Sequence, residues 1–291
     1  MSLVALVLGA GGQLGSELLD SAPAELSVSS ATREQLDITD AASVSAWLES
    51  VAPDLVINAA AYTAVDKAES EPELAFRINA EAPGWLAQWC ASHGSQFLHV
   101  STDFVFNGRA TAPYRELDST DPLGQYGLSK LAGERAVTTA YPEATIVRTG
   151  WVYSRYGHNF VKTMLRLMAE RDELRVVNDQ VGTPTWAKGL AQACWGLAGQ
   201  SGLYHWSDEG QCTWYDFALA IRELARERGL LSRCPEITPI MAADYPTPAL
   251  RPAYSVLDKQ RSWEALATRG LPWQEQLATM LDELQEEQSR A

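Results

Sequence analysis

Three side chains in the first half of the sequence have the chemistry needed to reduce a carbonyl group. Tyr126 and Lys130 are four residues apart, so on a helix they lie on one face. A phenol ordinarily titrates near pH ~10, and an ammonium held close by favours the phenolate and lowers that pKa. We therefore predict that Lys130 tunes Tyr126 for proton transfer. Thr102 lies upstream and could hydrogen-bond the same reacting oxygen.

The same spacing is also typical of an ordinary solvated helix face, so the pair gains weight only beside a dinucleotide site. An apolar run over residues 3–8 predicts a buried strand, and residues 16–19 open a helix. Glycines at every third position between them would permit a tight turn and close approach to a pyrophosphate, and the helix N-terminus supplies amide donors. The residues predicted to bind the cofactor here are Gly9, Gly12, Gln13, Leu14 and Gly15.

The second predicted strand, over residues 25–30, indicates which dinucleotide is used. It ends without the carboxylate that would hold the ribose 2′-hydroxyl of NAD, and Arg33 follows shortly after. A nearby arginine suits a 2′-phosphate, so NADPH is favoured and NADH stays possible, although Arg33 is equally compatible with a plain surface charge. Asp37 and Ile38 could flank the adenine, and Asp37 could instead cap the next helix.

The third and fourth predicted strands end in small or polar residues. Ligands of parallel α/β sheets bind outside the carboxyl ends of the strands, so these residues should border the site. We predict that Ala60, Ala61 and Tyr62 contact the cofactor, and that Thr102 and Asp103 lie at the same edge. Trp151 follows the next strand, and it is interpreted either as a surface for a sugar ring or as a core tryptophan.

The alternation of strands and helices predicts an α/β fold, namely a Rossmann-like doubly wound parallel sheet with a smaller, interleaved α/β substrate domain. Residues 1–150 would form the dinucleotide-binding domain, with residues about 174–207 packing back on it. Residues 151–291 would form mainly the substrate domain. The sequence shows no internal repeat and no low-complexity linker.

Composition excludes several classes of protein. A formal net charge of −14 argues against a nucleic-acid partner, whose binding surface would be basic. The N-terminal apolar run is too short to span a membrane and lacks the flanks of a signal peptide, so we expect a cytoplasmic protein. The four cysteines form no close pair, and the histidines show no metal-ligand spacing, so no metal site is predicted.

Longer blocks of sequence carry a resemblance that covers most of the chain. Besides the glycine-rich loop and residues 58–73, the blocks are STDFVF (101–106), YGLSKLAGE (126–134), RTGWVY (148–153), NDQVGTPT (178–185) and YPTPALRP (245–252). Taken together, these blocks resemble the extended short-chain dehydrogenase/reductases and, within them, the family of dTDP-4-dehydrorhamnose reductases. Where that family often has Tyr, this chain has Phe104, a departure that touches none of the roles expected below.

The resemblance implies reduction of the 4-keto group of dTDP-4-dehydro-6-deoxy-L-mannose by NAD(P)H to dTDP-L-rhamnose, in dTDP-rhamnose biosynthesis for cell-surface polysaccharide. It implies that Tyr126 gives the proton, that Lys130 lowers the tyrosine pKa and binds the nicotinamide ribose, and that Thr102 orients the keto oxygen. The residues implied to contact the dTDP-sugar are Thr102, Asp103, Trp151, Asn159 and Arg251.

Some expectations are left open by the sequence. Certain relatives carry Mg²⁺ at a dimer contact, so a bound Mg²⁺ and a homodimer are both possible here, although the sequence places no ligands for the ion. A non-catalytic regulatory subunit could keep the dinucleotide fold, and an intact Thr102, Tyr126 and Lys130 argue against it. A nucleotide-sugar epimerase or dehydratase would recycle bound NAD instead of consuming NAD(P)H.

Overall fold

The structure, a computed structural model, describes residues 3–290. Within them the strands are β1 (Val4–Leu8), β2 (Ser27–Ala31), β3 (Leu55–Asn58), β4 (Gln96–Thr102), β5 (Thr145–Thr149), β6 (Val152–Tyr153), β7 (Glu173–Val177), β8 (Val181–Gly182), β9 (Thr185–Trp186), β10 (Gly202–His205), β11 (Cys212–Thr213) and β12 (Glu236–Ile240). The α-helices are α1 (Gln13–Asp20), α2 (Ala41–Val51), α3 (Val65–Ala68), α4 (Pro72–Phe76), α5 (Ala82–His93), α6 (Gln125–Ala140), α7 (Phe160–Glu170), α8 (Ala187–Leu197), α9 (Trp214–Glu227), α10 (Gln260–Leu266) and α11 (Trp273–Arg290). A π-helical turn (Arg77–Glu81) joins α4 to α5, and 3₁₀ turns lie at Asp103–Val105 and Ala242–Asp244.

The central sheet has six strands in the order β10-β5-β4-β3-β1-β2, and all of them pair in parallel. The chain first moves from β1 to β2 and then returns to the other side of β1 to form β3. Such a reversal opens a crevice at the carboxyl ends of β1 and β3, where ligands of doubly wound sheets bind. The predicted α/β, Rossmann-like fold is confirmed.

Helices pack on both faces of the sheet, and alternate side chains of each strand contact them. Ala5 and Val7 of β1 pack with α1 and α8, whereas Leu6 and Leu8 pack with α2 and α5. Because successive strand residues point to opposite faces, a strand covered on both sides must be apolar throughout. The continuous apolar run at the N-terminus therefore has a packing reason.

The second half of the chain builds a separate core from α7, α9 and α11, and β7 pairs with β12 beside it. Three elements of this half pack on the six-stranded sheet instead. Strand β10 pairs with β5, α8 packs against α1, and α10 packs against α8 and β10. The domain boundaries drawn from the sequence stay a prediction. No helix within residues 3–290 is long and apolar enough to cross a membrane.

The cap of α2 differs from the sequence-based interpretation. Asp40 supplies it, since its Oδ1 accepts a hydrogen bond from the amide of Ala42 at 3.0 Å. Asp37 lies one turn too early, and its carboxylate accepts from the amide of Thr39 instead. An N-cap side chain reaches only the second or third amide after it, so Asp40 has the right position and Asp37 does not.

Candidate active site

The glycine-rich loop after β1 packs too tightly for side chains at two of its glycines. Gly9 has a φ of +78°, and a Cβ there would lie 2.7 Å from the amide nitrogen of Ala60. A Cβ at Gly15 would lie 2.2 Å from the carbonyl oxygen of Gly9. No side chain among the described residues caps α1 at Gly12, so the first-turn amides remain available to an anion. This cradle fits a dinucleotide pyrophosphate.

The residues predicted to bind the adenosine half of the cofactor differ in their exposure to solvent. Strand β2 ends at Ala31 without a carboxylate, and Arg33 is exposed beyond it. Asp37 is also exposed, while Ile38 is half-buried against the core under α2. Exposure leaves Arg33 free to meet a 2′-phosphate, and the assignment of all three residues to the cofactor stays a prediction.

Thr102 and Tyr126 meet at the carboxyl end of β4. Thr102 is the last residue of that strand, and Tyr126 lies in the first turn of α6, so the two side chains are neighbours. The Thr102 hydroxyl donates to Oδ1 of Asp103 at 3.0 Å. Burial raises the pKa of Tyr126 to about 12; the Thr102 hydroxyl opposes this rise and the Asp103 carboxylate adds to it. The phenol therefore holds its proton at neutral pH, as a proton donor must.

The effect of Lys130 on the pKa of Tyr126 stays a prediction, since the groups that shift this pKa here are the burial of the ring, Thr102 and Asp103. The Lys130 ammonium is itself buried, and Nζ donates to the carbonyl oxygen of Val100 at 2.7 Å. Burial lowers the pKa of Lys130 to about 8, opposed by the carboxylate of Glu134. Desolvation of the phenol therefore dominates the pKa of Tyr126.

A buried imidazole lies next to Lys130. Nε2 of His99 is 3.4 Å from Nζ of Lys130, and Nδ1 lies 3.1 Å from the side-chain amide of Asn58. The Asn58 Oδ1 accepts from the amide of Ala60, so its NH₂ group faces His99. Burial and the Lys130 charge hold the pKa of His99 well below its usual value, which keeps the ring neutral.

Glu134 forms the floor of this region, one turn of α6 beyond Lys130. Its carboxylate accepts hydrogen bonds from Nε and Nη2 of Arg148 at 2.8 and 2.7 Å, and from the hydroxyl of Ser101 at 2.6 Å. Sequence analysis did not single out Glu134. The signal was present, because residues 126, 130 and 134 continue one four-residue spacing along the same helix face.

Asn79 is a second residue that the sequence did not place in the site, since a mid-helix Asn is more often solvated than functional. It lies buried in the π-helical turn, where its side chain accepts from the amide of Tyr62 and donates to the Tyr62 carbonyl and the Ser129 hydroxyl. Ser129 in turn donates to the carbonyl of Tyr126. Asn79 thus joins the predicted cofactor loop to the helix that carries Tyr126, and π-turns of this kind are frequent at functional sites.

Two predicted substrate contacts lie at the same edge of the sheet. Asp103 is buried in the turn after β4, and burial raises its pKa to about 6 against hydrogen bonds from Ser255 and Thr102. Trp151 has a φ of +50°, and its ring stacks on that of Trp214 with 3.5 Å between centroids. A left-handed backbone is costly for a bulky residue and recurs at functional sites.

The other two predicted substrate contacts use their polar groups within the protein. Asn159 caps α7 through Oδ1 and donates from Nδ2 to Gln13 and to the Ser154 carbonyl. Arg251 forms a two-pronged ion pair with Asp66 of α3. Their assignment to the substrate stays a prediction. These contacts do not favour it, because the polar groups of both side chains already have partners within the protein. Among residues 3–290, no three His, Cys, Asp or Glu side chains are grouped to hold a metal, so the Mg²⁺ ion that the resemblance left possible stays unplaced.

The glycine cradle after β1, together with Thr102, Tyr126 and Lys130 at the carboxyl edge of the sheet, defines a dinucleotide-dependent reductase of the extended short-chain dehydrogenase type. The family model described as "RmlD substrate binding domain" matches residues 3–286. The chain belongs to this family.

Named relatives agree with this assignment over nearly the whole chain. The dTDP-4-dehydrorhamnose reductase of Aggregatibacter actinomycetemcomitans is 42% identical, covering 94% of this chain and 96% of that protein. The crystal structure of a dTDP-4-dehydrorhamnose reductase from Clostridium acetobutylicum superposes with a TM-score of 0.92 at 39% identity, over 97% of this chain and 100% of that one. The Bacillus anthracis reductase, solved in complex with NADP, has a TM-score of 0.91 at 34% identity, over 97% and 100%.

Proposed function

We propose that this chain reduces the 4-keto group of dTDP-4-dehydro-6-deoxy-L-mannose with NADPH to give dTDP-L-rhamnose, in dTDP-rhamnose biosynthesis for cell-surface polysaccharide. The observation that carries the proposal is the placement of Tyr126 beside Thr102 at the carboxyl end of β4, with Lys130 one turn further along α6. Family membership and the named relatives support the substrate, and the relative that binds NADP supports the cofactor. A cytoplasmic location and a homodimer remain predictions.

The cofactor would lie with its pyrophosphate on the first-turn amides of α1 and its adenosine towards Arg33, Asp37 and Ile38. Ala60, Ala61 and Tyr62 would line its path across the sheet edge. When bound, it supplies the hydride that the sugar C4 receives. Lys130 would contact the nicotinamide ribose from the floor of the site.

The protein's own groups would then handle the oxygen and the proton. Thr102 would hydrogen-bond the keto oxygen, and Tyr126 would transfer its phenolic proton to that oxygen as negative charge develops there. A phenol with a raised pKa keeps the proton in place until the acceptor becomes basic enough to take it. Asp103 and Trp151 would hold the sugar at the same edge.

The experiment that tests this function is an NADPH-oxidation assay with dTDP-4-dehydro-6-deoxy-L-mannose and its UDP and GDP analogues. We expect one NADPH to be consumed for each sugar reduced, with the dTDP substrate preferred. A regulatory subunit would consume none, and an epimerase or dehydratase would turn over without net consumption; either result would exclude the proposed reaction.

Cofactor preference yields a first prediction. Arg33 is exposed just beyond the carboxyl end of β2, which carries no carboxylate, so NADPH should bind more tightly than NADH. Arg33→Ala should shrink that preference by weakening NADPH alone, which dissociation constants for both cofactors would show. Equal constants in the unmutated protein would rule out this role.

The second prediction concerns Trp151, and the packing of this residue changes what the sequence alone suggested. The sequence alone suggested that Trp151→Ala would raise KM with little change in Tm. Because the ring stacks on Trp214 and packs against the α7, α9 and α11 core, we expect both a lower Tm and a higher KM for the sugar. An unchanged KM in the folded variant would assign Trp151 to the core alone, and an unchanged Tm would contradict the packing.

Lys130 yields a third prediction, which concerns pH. Its lowered pKa means that the ammonium is present below about pH 8 and is lost as pH rises. The kcat/KM for the sugar should therefore fall above about pH 8, since this ratio reports groups of the free enzyme. In Lys130→Met the activity should be low and the alkaline fall absent. An alkaline fall that persists in Lys130→Met belongs to another group.

A further inference from the structure

One face of α1 is fastened to the segment that leads into α7. Gln13, Glu17 and Asp20 are spaced by four and three residues, so they lie in line along the helix. Each of them contacts a side chain from residues 154–159, which we call the clasp segment. These contacts join the helix that carries the cofactor cradle to the substrate side of the protein.

The first contact lies at the cradle itself. Asn159 donates from Nδ2 to Oε1 of Gln13 at 2.9 Å, and its Oδ1 accepts from the amide of Lys162 at 3.0 Å. A single amide therefore caps α7 and holds the first residue of α1. Gly157 approaches so closely that a Cβ there would lie 3.1 Å from Cγ of Gln13.

The second contact is buried in the middle of the face. Glu17 is 1% exposed, and its Oε1 accepts a hydrogen bond of 2.6 Å from the hydroxyl of Ser154, which is 0% exposed. Burial raises the pKa of Glu17 while this hydroxyl opposes the rise. Burying a carboxyl group costs free energy unless it is hydrogen-bonded, and the partner that Glu17 uses lies on the clasp segment.

The third contact lies at the carboxyl end of α1, at Asp20. The guanidinium of Arg155 and the phenol of Tyr156 both donate to the carboxylate of Asp20. The clasp segment follows β6 directly, and β6 follows Trp151, which is predicted to touch the sugar. A shift of α1 would thus be transmitted to both Trp151 and the start of α7.

We propose that the clasp segment couples the two ligand sites, so that occupancy of the cofactor cradle tightens binding of the thymidine nucleotide sugar, with Glu17 as a positioning residue. The inference rests on the proposed function, because it requires both ligands to bind. Coupling between two sites is reciprocal, so the sugar nucleotide must tighten the cofactor by the same factor.

Isothermal titration calorimetry with NADP⁺ and dTDP as probes measures the coupling directly. In the unmutated protein, saturating NADP⁺ should lower the Kd of dTDP by a factor on the order of 5 to 150. Glu17→Ala and Ser154→Ala should each bring this factor towards one, and the double variant should lose little more, since both remove one contact. Glu17→Gln keeps an acceptor for the Ser154 hydroxyl and should retain most of the coupling.

The control is Glu170→Ala, which removes an exposed carboxylate paired with Arg166 on α7 and should leave the factor unchanged. A factor of one in the unmutated protein, or an unchanged factor in Glu17→Ala, would overturn the inference while leaving the proposed function standing. Failure of the unmutated protein to bind either probe would refute the proposed function itself, and the coupling with it.

Discussion

Tyr126→Phe should lower kcat by ~10²–10⁴-fold, the usual contribution of a positioned general acid. The substitution removes one hydroxyl from a half-buried phenol whose raised pKa keeps it protonated at neutral pH. The ring would keep its edge contact with Phe104, so the fold should persist. NADPH affinity should be nearly unchanged, because the cradle after β1 is untouched. Single-turnover rates with saturating NADPH measure the effect.

Tyr141→Phe is the matched control, since it removes the same atom at the other end of α6. It should turn over at the unmutated rate. If Tyr126→Phe also kept that rate at every pH, the phenol would not be the proton donor. The regulatory-subunit interpretation would then be the better one.

Glu134→Ala should destabilise the protein by about 3–5 kcal/mol, as is usual when one partner of a buried ion pair is removed. The Arg148 and Glu134 side chains are 4% and 7% exposed, and two parallel hydrogen bonds join them. Without the carboxylate, the buried Arg148 guanidinium loses its two-pronged partner, and the Ser101 hydroxyl loses its acceptor. Urea unfolding followed by tryptophan fluorescence measures the loss.

The exposed pair of Arg166 and Glu170 is the matched control for this prediction. Its side chains are 61% and 54% exposed and lie four residues apart on α7. Glu170→Ala should cost at most about 0.5 kcal/mol, because water screens such pairs. Similar losses for Glu134→Ala and Glu170→Ala would mean that the buried pair contributes no more than a surface one.

Much of the fold could be predicted because its signals are local. A buried parallel strand needs apolar residues on both faces, and a crowded turn needs glycine, so β1 and the loop with Gly9 and Gly15 are legible in sequence. The four-residue spacing of Tyr126 and Lys130 likewise fixed their common helix face. The same spacing extends to Glu134, which a longer search along the helix would have found.

The properties that could not be predicted depend on contacts between distant segments. The direction of the Tyr126 pKa shift is decided by how deeply the phenol is buried, and neither burial nor the Lys130 bond to Val100 is encoded in a spacing of four. Asn159 donates to Gln13, 146 positions earlier in the chain, and no local spacing indicates that contact. The positive φ of Trp151 likewise follows from packing that no local pattern announces.

The measurement that tests the proposed reaction most directly follows deuterium from NADPH that carries deuterium at both C4 positions of the nicotinamide. With dTDP-4-dehydro-6-deoxy-L-mannose as substrate, we expect one deuterium at C4 of the product sugar for each NADPH consumed, and dTDP-L-rhamnose as the product. NMR and mass spectrometry of the purified product locate the label. A product without deuterium at C4, or a sugar that changes while NADPH is not consumed, would contradict direct reduction by this protein.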